Sequence, residues 1–210
     1  MSQTTLEVLR VAMLIPQLAL VYYFITVYSF QKSLWYFTTW SLYLVIVGLV
    51  LTIYLGRAQK PSKTVALLGT SITEIALVSQ IFVVVIYWPV LHKPTVEFIS
   101  KFPDFDVQYQ LMVWIHLLPF FAIALNVWLS QIYFNEAHWP AMAIYGTFYV
   151  VVNFILVKYQ VGKSIYPFLP WDNVASYIIS FVLLVAGLFI FKKICAIVNR
   201  LKGETGMKQD

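Results

Sequence analysis

The sequence predicts an all-α membrane protein that crosses the bilayer six times, with both termini on the cytoplasmic or matrix side. Three observations support this class: 61% of the 210 residues are hydrophobic, only 11% are charged, and the apolar residues fall into six long runs. Soluble domains contain about 45–50% apolar and about 25% charged residues. Lipid must therefore face much of the surface of this chain.

Each apolar run has the length of a membrane-spanning helix, which needs about 20 residues to cross the hydrocarbon layer. Short polar or proline-containing breaks separate the runs, and none of the breaks could form a soluble domain. We therefore predict one transmembrane domain over residues 1–210, with helices at 8–29, 36–56, 68–91, 108–134, 138–159 and 173–198.

The distribution of lysine and arginine predicts the orientation of these helices. With both termini inside, nine of these residues lie on the inner side and five on the outer side. Loops on the cytoplasmic or matrix side are enriched in lysine and arginine. The termini are therefore predicted to lie in the cytoplasm, or in the matrix if the membrane is mitochondrial. The candidate locations are the endomembrane system (endoplasmic reticulum or plasma membrane) and the mitochondrial inner membrane.

The polar composition excludes several classes of partner and cofactor. The net charge is +5, but the basic residues occupy short breaks and form no stripe with base-stacking aromatics, so we expect no nucleic acid. The single cysteine, Cys195, and three histidines have no metal-ligand spacing. We expect no metal and no cofactor, and we expect membrane lipids as partners.

Few ionisable side chains fall deep within the apolar runs, and such residues are expensive in a bilayer. His116 lies in the fourth run, one turn before Pro119, which should kink the helix beside the imidazole. Thr38 and Thr39 open the second run at a similar predicted depth. His116 could simply bond a neighbouring helix, with Asn153 or a threonine as partner. The threonines could simply join helices, since hydroxyls often do so in membranes.

Four short motifs occur in a recognisable order: WYFTT at 35–39, YW at 87–88, HLLP at 116–119 and GKSIYPFLPW at 162–171. With six predicted helices, the chain resembles the androgen-induced protein family, which includes the androgen-dependent TFPI-regulating proteins. The resemblance implies a membrane-embedded threonine hydrolase that cleaves fatty acid esters of hydroxy fatty acids.

The resemblance also implies a threonine–histidine dyad. Matching the family's Trp-x-Phe-x-Thr pattern assigns Thr39 as the nucleophile, and the histidine of the fourth helix is His116. Thr38, Asn153 and Tyr166 are candidate helpers. The histidine stands two residues nearer the proline than in animal members of the family, where this chain has Trp114.

Whether the chain is an enzyme stays open on the sequence alone. If it is, it hydrolyses lipid carboxylic esters. The alternative is a non-catalytic accessory or scaffold subunit of a larger membrane complex, such as one of the mitochondrial respiratory chain, whose partners are other membrane subunits. A small-solute transporter is less well supported, because polar residues do not line a continuous path through the predicted helices.

Overall fold

A computed structural model describes residues 2–58, 60–130 and 132–206. All regular structure in these ranges is helical, and six helical segments are long and apolar enough to cross a membrane. The predicted all-α class with six membrane-spanning helices is confirmed, and the protein is an integral, multi-pass membrane protein.

The helices are named in chain order. They are α1 (Gln3–Tyr28), α2 (Phe30–Ser33), α3 (Phe37–Arg57), α4 (Lys63–Ile86), α5 (His92–Ile99), α6 (Phe105–Leu129), α7 (Trp139–Ile155) and α8 (Val174–Gly206). A turn of π-helix, Tyr87–Leu91, joins α4 to α5, and a second, Leu156–Val161, follows α7. A short 3₁₀ turn, Glu136–His138, leads into α7.

The third spanning segment differs most from its predicted bounds. It is continuously helical over Lys63–Ile99, so the predicted loop after residue 91 contains α5. Pro89 lacks the N–H that an α-helix needs, and the wider π turn around it lets the helix continue. The fourth spanning helix begins three residues before and ends five residues before its predicted bounds, and α8 continues through residues predicted as a polar tail.

The described chain forms two compact units. Unit 1 comprises the chain up to Leu34 together with Thr38–Ile132, and unit 2 comprises Trp35–Phe37 and the chain from Tyr133 onward. In unit 1, α6 packs against both α1 and α4. Fully buried aliphatic side chains from α3, α4 and α6 fill its centre: Leu42, Val45, Leu49, Ala76, Val78 and Ile123.

Helix α1 shows how unit 1 separates its polar and apolar surfaces. Exposed side chains recur every seven residues, as do buried ones on another face. The exposed set is Val8, Ile15 and Tyr22, and the buried set is Arg10, Gln17 and Phe24. A period of seven keeps side chains on one face of a helix. The apolar stripe faces outward, as lipid contact requires, and the polar side chains point into the unit.

Arg10 joins three helices of unit 1. Its side chain is only 4% exposed. The guanidinium donates to the amide oxygen of Asn126 at 3.0 Å, to the hydroxyl of Ser130 at 2.8 Å and to the carbonyl of Thr52 at 3.3 Å. Thr52 and Asn126 lie near the C-terminal ends of α3 and α6, where helix dipoles favour a positive charge. The buried cation is thus held by oxygen acceptors.

In unit 2, α7 packs against α8 through a small residue. A Cβ atom on Gly146 would lie 2.8 Å from a methyl group of Leu184, so a larger residue here would require the leucine side chain to shift. Asn199 of α8 bonds both backbone groups of Phe134, at 2.8 Å and 2.7 Å. These contacts hold the start of unit 2 against its last helix.

Replacing Arg10 should destabilise the protein more than replacing an exposed arginine. We expect Arg10→Met to lower the free energy of unfolding by about 2 kcal/mol, because three buried oxygens each lose the hydrogen bond that they accept from Arg10. The matched control is Arg57→Met. Arg57 pairs with Glu7 at 2.9 Å, but its side chain is 63% exposed, so its loss should cost less than about 1 kcal/mol. Thermal unfolding in lipid nanodiscs measures both, and equal effects would contradict the prediction.

Candidate functional site

The candidate site contains a direct hydrogen bond between a threonine and the predicted histidine. The Thr38 hydroxyl lies 3.2 Å from Nε2 of His116. Thr38 is the second residue of α3, and His116 lies eleven residues into α6, about 16 Å along that helix. Both residues belong to unit 1. The structure therefore brings together two of the residues named from the sequence.

The hydrogen bond of Nδ1 in His116 determines whether Nε2 donates or accepts. Nδ1 lies 2.6 Å from the backbone carbonyl of Met112, one turn earlier in α6. A carbonyl oxygen only accepts hydrogen bonds, so Nδ1 carries the proton and Nε2 of the neutral ring is an acceptor. The Thr38 hydroxyl accordingly donates to Nε2. This is the arrangement of a hydroxyl nucleophile, a general base and a group that orients the base.

Thr39 has a different partner. Its hydroxyl donates to the backbone carbonyl of Ser33, the last residue of α2, and its side chain is only 2% exposed. The bond satisfies a carbonyl at the end of α2 and ties that short helix to the start of α3. Thr38 is half-buried, so it is the more accessible residue of the two.

Two further polar side chains support the backbone at Thr38. The Ser41 hydroxyl donates to the carbonyl of Thr38 at 2.8 Å and accepts from the side-chain amide of Gln80 at 3.1 Å. Ser41 and Gln80 are fully buried. This chain of bonds links the first turn of α3 to α4.

An aromatic ring covers one face of His116. The Tyr87 ring stacks on the imidazole, with ring centroids 3.4 Å apart and planes inclined by 8°. The Tyr87 hydroxyl shares a hydrogen bond of 3.3 Å with Nδ1 of His92. The ring of Trp88 meets Tyr87 edge-on, at 5.2 Å. His116 is only 6% exposed.

The two other candidate helpers, Asn153 and Tyr166, belong to unit 2. The side-chain oxygen of Asn153 accepts from the indole N–H of Trp171 at 2.8 Å, and both side chains are buried. Trp171 has a left-handed backbone (φ 61°), which is uncommon outside glycine. Asn153 therefore anchors the turn before α8.

Tyr166 bonds Phe37, the first residue of α3, within unit 2. Its hydroxyl accepts from the backbone N–H of Phe37 at 2.8 Å and from the hydroxyl of Tyr149 at 3.1 Å. The N–H groups in the first turn of a helix have no partner within that helix, so Tyr166 satisfies one of them. The same tyrosine side chain thus secures the residue immediately before Thr38 in the chain.

Comparisons of this chain with protein-family models, curated proteins and solved structures find no significant match.

Sequence reasoning missed most of the residues that surround the dyad. Ser41, Gln80 and His92 carry no motif, and Tyr87 entered only as part of the YW pair. Thr38 was named, but as a helper. A signal was available for Ser41, because Thr38, Ser41 and Val45 follow a helical spacing of three and four residues.

Tyr166 should contribute to stability only while its phenol is protonated. Burial raises the pKa of Tyr166 to about 12, from an ordinary value of about 10. The folded state then retains a proton that the unfolded chain loses, so this contribution is complete below pH ~10 and is lost as the pH rises towards about 12.

We therefore expect the stability difference between wild type and Tyr166→Phe to shrink over that pH range. Thermal unfolding from about pH 9 to about pH 12 measures it. Tyr159→Phe, which replaces a 78% exposed tyrosine of the same unit, is the matched control. A difference between wild type and Tyr166→Phe that stays constant with pH would contradict the prediction.

Proposed function

We propose that the protein is an intramembrane threonine hydrolase of lipid carboxylic esters, of the class of fatty acid esters of hydroxy fatty acids. The observation that carries the proposal is the 3.2 Å contact between the Thr38 hydroxyl and Nε2 of His116, with Nδ1 held by the Met112 carbonyl. An alcohol is a weak nucleophile, and it needs a base within hydrogen-bond reach.

The geometry favours Thr38 as the nucleophile, whereas the family resemblance assigns Thr39. Thr38 contacts the base and is partly accessible, while Thr39 is buried and donates to the Ser33 carbonyl. In this proposal Thr39 positions the start of α3. Both threonines are tested below, because the two assignments predict opposite results.

The reaction proceeds by two acyl transfers. Oγ1 of Thr38 attacks the ester carbonyl carbon as its proton passes to Nε2 of His116, and a tetrahedral oxyanion forms. The bond to the alcohol oxygen then breaks, and the imidazolium returns the proton to that oxygen. Water next attacks the acyl-threonine with His116 again as base. The fatty acid leaves and the Thr38 hydroxyl is restored.

The surroundings suit this chemistry and this substrate class. Thr38 lies in the first turn of α3, where the positive end of the helix dipole favours an oxyanion. The spanning helices expose apolar side chains along their length, so a long-chain ester dissolved in the bilayer reaches the protein laterally. The endomembrane system and the mitochondrial inner membrane remain the two predicted locations.

Purified protein in nanodiscs should hydrolyse a branched fatty acid ester of a hydroxy fatty acid. We expect Thr38→Ala to abolish hydrolysis and His116→Ala to lower kcat by roughly 10²–10⁴-fold, the usual effect of losing a general base. Thr39→Ala should stay within about tenfold of wild type, since it loses one hydrogen bond of about 1 kcal/mol. Release of the hydroxy fatty acid is measured by mass spectrometry.

Controls separate chemistry from folding. Thr38→Ser keeps a nucleophile and should retain activity. Two variants outside the site should keep wild-type activity. Thr26→Ala removes an exposed hydroxyl that bonds the backbone of its own helix, and His138→Ala removes a histidine outside the site. Fragmentation of acid-quenched enzyme should locate the acyl group on Thr38. An adduct on Thr39 would reverse the assignment, and no hydrolysis in any form would favour the accessory-subunit interpretation.

A further inference from the structure

Tyr87 is bound to its surroundings on several sides. It is only 2% exposed, its ring lies face to face with His116, and its hydroxyl bonds His92. Trp88 packs edge-on against it and also lies 4.7 Å from the ring of His92. Because these contacts fix the Tyr87 ring, that ring can in turn fix the position of the His116 imidazole.

The π turn creates this arrangement. In an α-helix, residues five apart point in directions that differ by roughly 140°, so Tyr87 and His92 would not meet. In the π turn, the backbone N–H of His92 bonds the carbonyl of Tyr87, five residues earlier. The side chains of the same two residues then share their own hydrogen bond. Single π turns of this kind are frequent at functional sites.

The contact between the Tyr87 and His116 rings restrains rotation of the imidazole. Rotation of the imidazole about its bond to Cβ would move Nε2 away from Thr38 and Nδ1 away from the Met112 carbonyl. A ring stacked 3.4 Å away and nearly parallel to the imidazole opposes that rotation. The same π face attracts the imidazolium that forms when His116 takes the threonine proton.

We propose that Tyr87 is a positioning residue that holds the His116 imidazole in its productive orientation and stabilises its charged form, with the π turn and His92 fixing Tyr87 itself. This inference rests on the proposed hydrolase function for its kinetic consequence. The orientation of the ring, however, can be measured without any activity.

The kinetic experiment compares two variants of Tyr87 with an exposed tyrosine. Tyr87→Leu removes the ring, and we expect kcat to fall about tenfold or more with KM little changed, because the loss acts on the charged imidazole rather than on substrate binding. Tyr87→Phe keeps the stacked ring and should restore most of kcat. Tyr22→Leu, at a side chain 72% exposed in α1, is the control and should match wild type.

The structural experiment uses nuclear magnetic resonance of protein labelled at histidine, with the His116 signals assigned by their loss in His116→Asn. We expect the ring protons of His116 to be shifted upfield by the Tyr87 ring in wild type and in Tyr87→Phe. The shift itself is read in the wild-type protein, with Tyr87 in place. Unshifted His116 signals in wild type would overturn the inference whatever the activity.

The two experiments distinguish failure of the inference from failure of the function. If hydrolysis depends on Thr38 and His116 but Tyr87→Leu retains wild-type kcat, the positioning role is wrong and the hydrolase proposal stands. If no ester is hydrolysed but the His116 signals are upfield-shifted, the hydrolase proposal fails. The contact between the Tyr87 and His116 rings then stands, but the kinetic role of Tyr87 is refuted together with the hydrolase proposal.

Discussion

The constraint on which this structure depends is that hydrocarbon offers no hydrogen-bond partners. A polar side chain within a spanning helix must find its hydrogen-bond partner in the protein, either on its own helix or on another helix. Arg10 does so with the amide of Asn126, and His116 with Thr38. The apolar side chains are left to face lipid. The separation of faces along α1 and the contents of the candidate site are two consequences of the same rule.

Backbone irregularities supply several of the partners. The carbonyl of Ser33, the last residue of α2, receives the Thr39 hydroxyl. The π turn beginning at Tyr87 brings residues five apart into contact. The interior of a regular α-helix offers neither an unpaired carbonyl nor contact between residues five apart. A helix end and a π turn therefore supply contacts close to the candidate site. Pro89 lies in this turn, where the wider π geometry accommodates its missing N–H and the helix continues.

The number and type of spanning helices could be predicted because length and hydropathy decide them. Their ends were less predictable, since Pro89 suggests a stop to a sequence-based argument while the π turn allows α4 to continue into α5. His116 was identifiable as an ionisable group in an apolar run. Gln80 and Ser41 were not, because uncharged polar residues in membrane helices are common and their partners lie on distant parts of the chain.

The sequence alone predicts that six helices cross a membrane and that Thr38, Thr39 and His116 lie inside them. It could not decide which threonine faces the histidine. Adjacent residues on a helix point about 100° apart, so only one of the two can meet a given neighbour. The packing of α3 against α6 directs Thr38 to Nε2 of His116, and the end of α2 engages Thr39. That choice depends on helix rotation and register, which only the tertiary contacts define.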